Sequence, residues 1–337
     1  LEAKGHVMGS RADTEVLIHG YEEWGEELLQ KLRGMFAFVI WDKKNKSIFG
    51  ARDFFGIKPF YYTIANGNLI YASEIKAILA HPDVRKEVNP IALENYLTFQ
   101  YSVLEETFFK GIFKLMPAHC FTFKDGKMDI KRYWEPVFEA DHSKSLEEYV
   151  DEIDAAMQDS IKAHKVADVE VGSFLSSGVD SSYVAACFHG DKTFTVGFDY
   201  EKYNEIDYAK ALSEKIKIDN YSKLISKKEY WDSIPTVQYH MDEPLADASA
   251  IALYFVTKTA SEQVKTCMSG EGADELFGGY PLYRQAVWAE RWQKMPRAVR
   301  RALAALLPGC GLLHRGALPR WQRSARANYV FETTQER

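Results

Sequence analysis

The sequence predicts an α/β protein in two parts: a strand-rich α+β part with antiparallel strands, then a part built on a parallel sheet covered by helices. Three observations predict this. Across about the first 135 residues, short β-branched and aromatic runs are separated by turns, two of them at Asn66-Gly67 and Asp125-Gly126. Such pairs join adjacent antiparallel strands through two-residue turns. From Val169 onward, apolar strand-like runs alternate with helical stretches, the pattern of a parallel sheet with helical crossovers. Between the two patterns the chain is polar from Trp134 to Lys144. That connector places the parts at 1–136 and 145–337.

In the first part, Ala12–Tyr21 leads into Glu22–Leu32, an amphipathic stretch read as a helix that Gly34 stops. Met35–Trp41 and Ser47–Arg52 read as a hairpin about the polar turn Asp42–Lys46. Phe60–Thr63 and Asn68–Ala72 form a second strand pair, and Cys120–Phe123 and Met128–Tyr133 a third. Ser73–Leu79 and Pro90–Thr98 read as short helices. Ser145-Leu-Glu-Glu148 is a capping box opening a long helix to about His164, with Leu146, Tyr149, Val150, Ile153, Met157 and Ile161 near a 3.6-residue period. Strands are then expected at Val169–Leu175, Thr193–Phe198, Asn220–Ile225 and Lys265–Ser269. Helices are expected at Ser181–Phe188, Tyr208–Ile216, from Lys227 with an interruption at Pro235, and at Ser249–Lys258.

Composition bounds the functional classes. The chain has 337 residues, 46% hydrophobic and 27% charged, ordinary for a water-soluble globular protein of more than one domain. A net charge of −6 does not favour broad nucleic-acid binding. No apolar run approaches the roughly 20 residues needed to span a bilayer. Cys120, Cys187, Cys267 and Cys310 are widely separated, which suggests neither a disulfide framework nor a zinc site and fits a reducing cytosol. The tail from about Tyr283 carries Arg291, Arg297, Arg300, Arg301, Arg315, Arg320, Arg323 and Arg326. A solvated helical face explains these better than polyphosphate or nucleic-acid contact.

Chemistry concentrates at Val169–Ser182. An apolar run breaks into Ser176, Ser177 and Gly178, then resumes as a helix. A strand, a small-residue loop and a helix N-terminus together favour an anion, because backbone N–H groups converge there at the positive end of the helix dipole. No lysine follows the glycine, so this is not the Walker loop. A turn with small residues for packing alone is the alternative. The second candidate is Gly270-Glu-Gly-Ala-Asp-Glu275, a glycine-flanked acidic turn. Read alone, it is an acidic helix start.

Leu175–Ser182 (Leu-Ser-Ser-Gly-Val-Asp-Ser-Ser) resembles the pyrophosphate loop of the ATP-pyrophosphatases, usually Ser-Gly-Gly-x-Asp-Ser. Ser269–Tyr280 (Ser-Gly-Glu-Gly-Ala-Asp-Glu-Leu-Phe-Gly-Gly-Tyr) resembles the signature of the asparagine synthetase branch. Ser177 stands in a usual glycine position, and serine is small enough to fit. By these two segments the chain is identified as a member of the glutamine-dependent asparagine synthetase family. The first part is similar to the later portion of an N-terminal-nucleophile (Ntn-type) glutaminase. The matching segments are Asp13–Val16, Leu32–Phe38, Arg52-Asp53, Gly56–Pro59, Ala72–Lys76 and Leu115–His119, the last with Ala118 in a glycine place. The resemblance implies a partial Ntn-type glutaminase followed by a parallel-sheet, adenine-nucleotide α-hydrolase-like domain of ATP-pyrophosphatase type. That glutaminase acts through an N-terminal cysteine, whereas residue 1 is Leu and the first cysteine is Cys120. The chain as given is therefore expected not to hydrolyse glutamine, and to be a fragment lacking both natural ends.

The resemblance implies ATP-dependent conversion of aspartate to asparagine through β-aspartyl-AMP. ATP would bind at Leu175, Ser176, Ser177, Gly178, Val179, Asp180, Ser181, Ser182, Val196, Ser269 and Gly270. Asp180 and Asp274 would hold Mg²⁺, whose preference for carboxylate and phosphate oxygens suits them. Glu271 would be the catalytic residue, taking a proton from the attacking nitrogen. Asp13 would bind the glutamine α-amino group, for which a carboxylate is suited; a helix-capping Asp is the alternative. Asp242, Glu243 and Asp247 are candidates for the α-amino group of the acceptor. The implied partners are small molecules (aspartate, glutamine or ammonia), with no nucleic acid and no membrane, in the cytoplasm; a homodimer stays open. Two other readings remain: a related amidotransferase adenylating another carboxylate, and an inactive paralogue that only binds nucleotide.

Overall fold

A computed structural model describes residues 1–139, 141–200, 204–296 and 298–300. Arg297, Arg301, Arg315, Arg320, Arg323, Arg326 and Cys310 lie outside them. The chain divides into two compact units, Leu1–Asp141 with Gln238–Ala246, and His142–Val237 with Asp247–Arg337.

The first unit holds α1 (Asp13–Trp24), β1 (Ala37–Asp42), β2 (Ser47–Arg52), β3 (Tyr61–Ala65), β4 (Asn68–Ala72), α2 (Ile75–Leu79), α3 (Pro90–Phe99), β5 (Phe113–Lys114), β6 (His119–Lys124) and β7 (Lys127–Arg132). Its strands are antiparallel, in one sheet ordered β1-β2-β6-β7 and another ordered β4-β3-β5. Both glycine turns behave as their sequences demand. Asn66 and Gly67 have φ 52° and 77°, and Asp125 and Gly126 have 51° and 74°, the double left-handed step of a tight hairpin. Phe49, Ala51, Cys120 and Leu29 form one buried cluster, and Phe60, Tyr62, Leu115 and Phe121 another.

One expectation here is corrected. The helix begins at Asp13, nine residues before Glu22, and ends at Trp24; Gly25–Lys31 is a 3-10 helix. Gly25 adopts φ 57°, a conformation that stops an α-helix and costs glycine little. The amphipathic signal after it is met by the tighter helix, which still buries Leu28 and Leu29.

The segments Arg52-Asp53, Gly56–Pro59 and Leu115–His119 form one knot. The buried Asp53 carboxylate accepts from the N–H groups of Ile57 and Lys58 at 2.9 Å. The Arg52 guanidinium donates to the carbonyls of Gly56, Lys58 and Leu115. Ala118, in the glycine place, has φ 58°, so this turn keeps a left-handed residue without the glycine that suits it.

The second unit holds α4 (Leu146–His164), β8 (Val171–Phe174), α5 (Val179–Phe188), β9 (Lys192–Phe198), α6 (Ile206–Ile216), β10 (Asp219–Ile225), most of α7 (Lys227–Met241), α8 (Ser249–Ser261), β11 (Thr266–Met268), α9 (Ala273–Phe277) and α10 (Pro281–Lys294). The Ser145 capping box is present in both directions. The four strands are parallel, in the order β10-β9-β8-β11. The helix from Lys227 is not interrupted, because α7 runs through Pro235. A proline there costs about 3 kcal/mol. Ile234 and Val237 pack beside it against Ile225, Ile251 and Phe255, and burying such side chains returns about 1.5–3 kcal/mol each.

Candidate nucleotide site

The strand order decides where the two sequence signatures meet. From β8 the chain steps to β9 and β10 on one side, then returns to place β11 on the other. Ligands of open parallel sheets sit at the carboxyl ends of strands where the order reverses. Here the reversal lies between β8 and β11. The residues that follow those ends are Leu175–Gly178 after β8 and Ser269–Gly272 after β11.

The first loop is anchored from below. Leu175 is buried with Ala185 and Ala209. Its N–H donates to the Phe194 carbonyl (2.9 Å), and its carbonyl accepts from Thr195 Oγ1 (2.8 Å). Serine hydroxyls then shape the turn: Ser176 Oγ lies 2.7 Å from Ser181 Oγ and accepts from the Gly178 N–H at 3.1 Å. Ser181 Oγ and Ser182 Oγ donate back to the Gly178 carbonyl. Gly178 caps α5 with no side-chain hydrogen bond to the helix. The first amides of a helix have no intrahelical acceptor, so those of Val179, Asp180 and Ser181 present the positive end of α5. Val196 pairs with Lys223 on β10. On its other side β8 has already ended, since the last β8–β9 pair is Phe174 with Phe194. The Val196 backbone therefore faces the loop rather than a strand.

The second turn presses on this loop. A Cβ at Gly270 would stand 2.9 Å from the Asp180 carbonyl carbon and 2.9 Å from the Ser181 nitrogen. Only glycine admits that approach without displacement. Gly272 follows at φ 91° as the cap of α9. Glu271 is exposed and accepts from Ser269 Oγ at 3.2 Å. Glu275 accepts from the Tyr280 hydroxyl (3.0 Å), and that bond to a carboxylate pushes the phenol up to about 12. Gly270 thus stands directly against the start of α5 at Asp180 and Ser181.

The side-chain carboxylates of Asp180 and Asp274 make no hydrogen bond or ion pair among the described residues, while the Asp274 carbonyl accepts from the Gly279 N–H. Asp180 lies against Gly270 at the start of α5. Carboxylate oxygens, as at Asp180 and Asp274, are the hard donors that Mg²⁺ prefers.

Other expectations fare differently. Asp13 is exposed as the first residue of α1, where its Oδ1 accepts from the Thr14 N–H at 2.8 Å; the N-cap is Ala12, with no side-chain cap hydrogen bond. Asp242, Glu243 and Asp247 each already accept a hydrogen bond. Asp242, with a side chain only 7% exposed, accepts from the Ile75 N–H (2.6 Å) and pairs with Lys76 (2.8 Å). Glu243 accepts from the Phe108 N–H, and Asp247 from the Ser249 N–H. Of the three, Asp242 pairs with a cation, Lys76, while Glu243 and Asp247 each engage one oxygen with a backbone N–H. Cys120 is buried in β6, and burial pushes its thiol up to about 11, which removes it as a nucleophile.

Glu205, just before α6, is a site residue the sequence reading missed. Its carboxylate accepts from both Ser177 Oγ (2.9 Å) and the Ser177 N–H (3.3 Å). Nothing in the spacing announced it, since 28 residues separate the partners; an acidic residue at a helix start was the faint signal. Ser177 has no positive φ, so serine fits the usual glycine place without strain.

Comparison with known proteins adds an independent line. A family described as asparagine synthase matches residues 152–336, and one described as glutamine amidotransferase domain matches residues 1–134. The chain is 41% identical to asparagine synthetase (glutamine-hydrolyzing) 1 of Bacillus subtilis strain 168, over 98% of this chain and 54% of that protein. It is 38% identical to a putative asparagine synthetase (glutamine-hydrolyzing) of Mycobacterium tuberculosis H37Rv, over 93% of this chain and 51% of that protein. A third relative, asparagine synthetase (glutamine-hydrolyzing) 3 of Bacillus subtilis, is 36% identical over 85% of this chain and 50% of its own length. The chain spans about half the length of the curated relatives it matches.

Proposed function

The chain belongs to the asparagine synthase family, and on that premise we propose that it amidates aspartate to asparagine at the expense of ATP, through β-aspartyl-AMP, with nitrogen that originates in glutamine. The observation that carries the reading is the close approach of Gly270 to the start of α5. It joins the two signatures at the point where the strand order reverses.

The chemistry follows from what the residues can do. A carboxylate resists attack by ammonia because oxide is a poor leaving group. The β-carboxylate of aspartate therefore first displaces pyrophosphate from the α-phosphorus of ATP. Negative charge grows on the departing pyrophosphate, and the free amides at the start of α5, with Ser176, Ser181 and Ser182, receive it. Preorganised donors of this kind are commonly the largest catalytic contribution, each worth about 10²–10³ in rate. Asp180 and Asp274 would hold Mg²⁺, which supplies charge neutralisation to the phosphates when bound. Ser269, Gly270 and the backbone at Val196 would border the nucleotide. In the second step ammonia attacks the acyl carbon and AMP leaves. Glu271, free of any cation partner among the described residues, would accept the proton shed by nitrogen. Asp13 would pair with the α-ammonium of glutamine.

The proposal extends to small-molecule partners only, in the cytoplasm. The described cysteines are free thiols, the net charge is −6, and no described helix is long and apolar enough to cross a membrane. The test supplies ATP, Mg²⁺ and aspartate with either glutamine or ammonium, and follows AMP and asparagine. AMP and asparagine formed with ammonium support the synthetase reading. Activity with glutamine as well supports the nitrogen source. No aspartate-dependent AMP with either source rejects the acceptor and favours a related amidotransferase acting on another carboxylate.

A further inference from the structure

In the first unit, two imidazoles and a ring of carboxylates gather where the N-terminal segment crosses α1. His6 Nδ1 lies 3.1 Å from His19 Nδ1. His19 Nδ1 lies 3.5 Å from Glu22 Oε2. These three residues bring their ligand atoms within 4.8 Å of one another. The far nitrogen of each ring also faces a carboxylate: His6 Nε2 lies 3.2 Å from Glu23 Oε2, and His19 Nε2 lies 3.7 Å from Glu15 Oε1. The rings are largely covered, with side chains 16% and 22% exposed, whereas Glu22 is 63% exposed.

We propose that His6, His19 and Glu22 bind a zinc-like divalent transition metal, with Glu23 and Glu15 as the carboxylates that orient the two imidazoles. Three physical points carry it. Donor atoms bound to zinc at about 2.0–2.1 Å in a tetrahedron stand about 3.3–3.4 Å apart. The observed 3.1 and 3.5 Å edges bracket that value. Metal-bound histidines characteristically hand their other N–H to a carboxylate; His6 has Glu23 at hydrogen-bond distance, and His19 has Glu15 as a carboxylate neighbour at 3.7 Å. Finally, when each Nε2–H points at its carboxylate, two Nδ1 lone pairs confront each other at 3.1 Å. Such lone pairs repel unless a proton or a metal ion satisfies them both.

The ligand set is borderline rather than hard, two nitrogens and one oxygen, so it selects zinc-like ions over Mg²⁺ or Ca²⁺. Helical spacing supplies it: Glu15, His19, Glu22 and Glu23 lie at steps of three and four along α1, which share a face. The second strand of the clip is the N-terminal segment, already tied to α1 by Glu15 through the N–H groups of Gly9 and Ser10 (2.6 and 2.7 Å) and by Lys4 through Glu23. A metal here closes residues 1–12 onto the helix that begins at Asp13. Three protein ligands leave a fourth position for water.

The experiment strips the 337-residue chain with a chelator and titrates zinc against a chromophoric competitor, in excess Mg²⁺ to occupy all-oxygen sites. The expected result is one zinc per chain. His6→Ala and His19→Ala each weaken it by on the order of 100-fold or more, and Glu23→Gln by about 10–100-fold, the usual cost of losing an orienting carboxylate. X-ray absorption is expected to show imidazole scattering and no sulfur, and zinc is expected to raise the thermal midpoint of the wild type but not of the double histidine variant. Circular dichroism confirms that the variants are folded. Zinc retained at full affinity by a folded His6→Ala/His19→Ala protein overturns the site, as does a sulfur shell or a wild type that holds no zinc.

Discussion

Replacing Gly270 by alanine tests whether the two signatures form one site. The added Cβ would fall 2.9 Å from two backbone atoms of α5, the Asp180 carbonyl carbon and the Ser181 nitrogen. Non-bonded carbon contacts are comfortable at about 3.5–4.0 Å, so the shortfall is roughly 0.6 Å or more. The obstacle is helix backbone, which cannot rotate away as a flexible side chain would. Either the turn after β11 or the first residues of α5 must move. Overpacking of this size costs about 1–3 kcal/mol. If the displacement falls on the amides that receive phosphate, that energy is lost from nucleotide binding, a weakening of about 5–150-fold at 1.4 kcal/mol per decade. Calorimetric titration with ATP and Mg²⁺ reads it directly. Gly272→Ala is the control: it strains a residue at φ 91° but meets no atom within 4 Å, so stability falls while ATP affinity changes little. Gly270→Ala binding ATP within twofold of the wild type, with an unchanged thermal midpoint, refutes the contact and with it the merging of the signatures.

Other outcomes follow from the same geometry. Glu205 occupies donors of Ser177 that an incoming phosphate would use; Glu205→Ala is expected to tighten pyrophosphate binding up to about tenfold, and weaker binding would mark Glu205 as a brace for the loop instead. Glu271→Gln is expected to lower asparagine formation by about 10²–10⁴-fold while leaving ATP affinity within twofold; unchanged turnover removes Glu271 from the proton transfer. Glu229 caps the start of α7 through Ser226 and pairs with Lys223, whose hydrogen bond leads in lowering the carboxyl from 4.5 to about 2. A depressed carboxyl stabilises the fold above its unfolded value and loses that contribution as pH falls through the folded one. The stability gap between wild type and Glu229→Gln should therefore be full above pH 4.5 and close toward pH 2; a gap that is flat over this window sinks the assignment.

What the sequence made legible is what is decided locally. The pairs Asn66-Gly67 and Asp125-Gly126 need positive φ at both residues, and few sequences tolerate it, so they announced their hairpins. Ser145 and Glu148 satisfy each other's backbone across three residues, so the capping box announced α4. The start of α1 was misplaced because the amphipathic pattern runs on through Gly25 into the 3-10 helix, while the true start at Asp13 carries a weaker apolar signal. Pro235 misled because its cost is local but its compensation is not: Ile225, Ile251 and Phe255 come from β10 and α8. At the candidate nucleotide site, the loop and the acidic turn were readable because each is a contiguous run. The β10-β9-β8-β11 order and the Glu205–Ser177 bond join residues far apart in sequence, and no spacing encodes them. The histidine cluster is similar: His19, Glu22 and Glu23 lie at helical spacing, but it takes the crossing of His6 to make them a set.

The inclusion of Gln238–Ala246 in the first unit bears on how the chain is made. Asp242 and Glu243 supply acceptors for the N–H groups of Ile75 and Phe108 and a counter-charge for Lys76. When translation reaches Asp141, the last residue of the unit's first stretch, those partners do not yet exist. About 100 further residues must be added before Ala246 emerges, which takes ~5–20 s at ~5–20 residues/s. For that interval the nascent first unit presents α2 without its capping carboxylate and Lys76 with Glu74 as its partner but without Asp242. It is a period in which chaperones or proteases meet an incomplete surface, and one in which a pause in synthesis between residues 141 and 246 would lengthen the exposure. A gene split at the polar connector would make that incompleteness permanent.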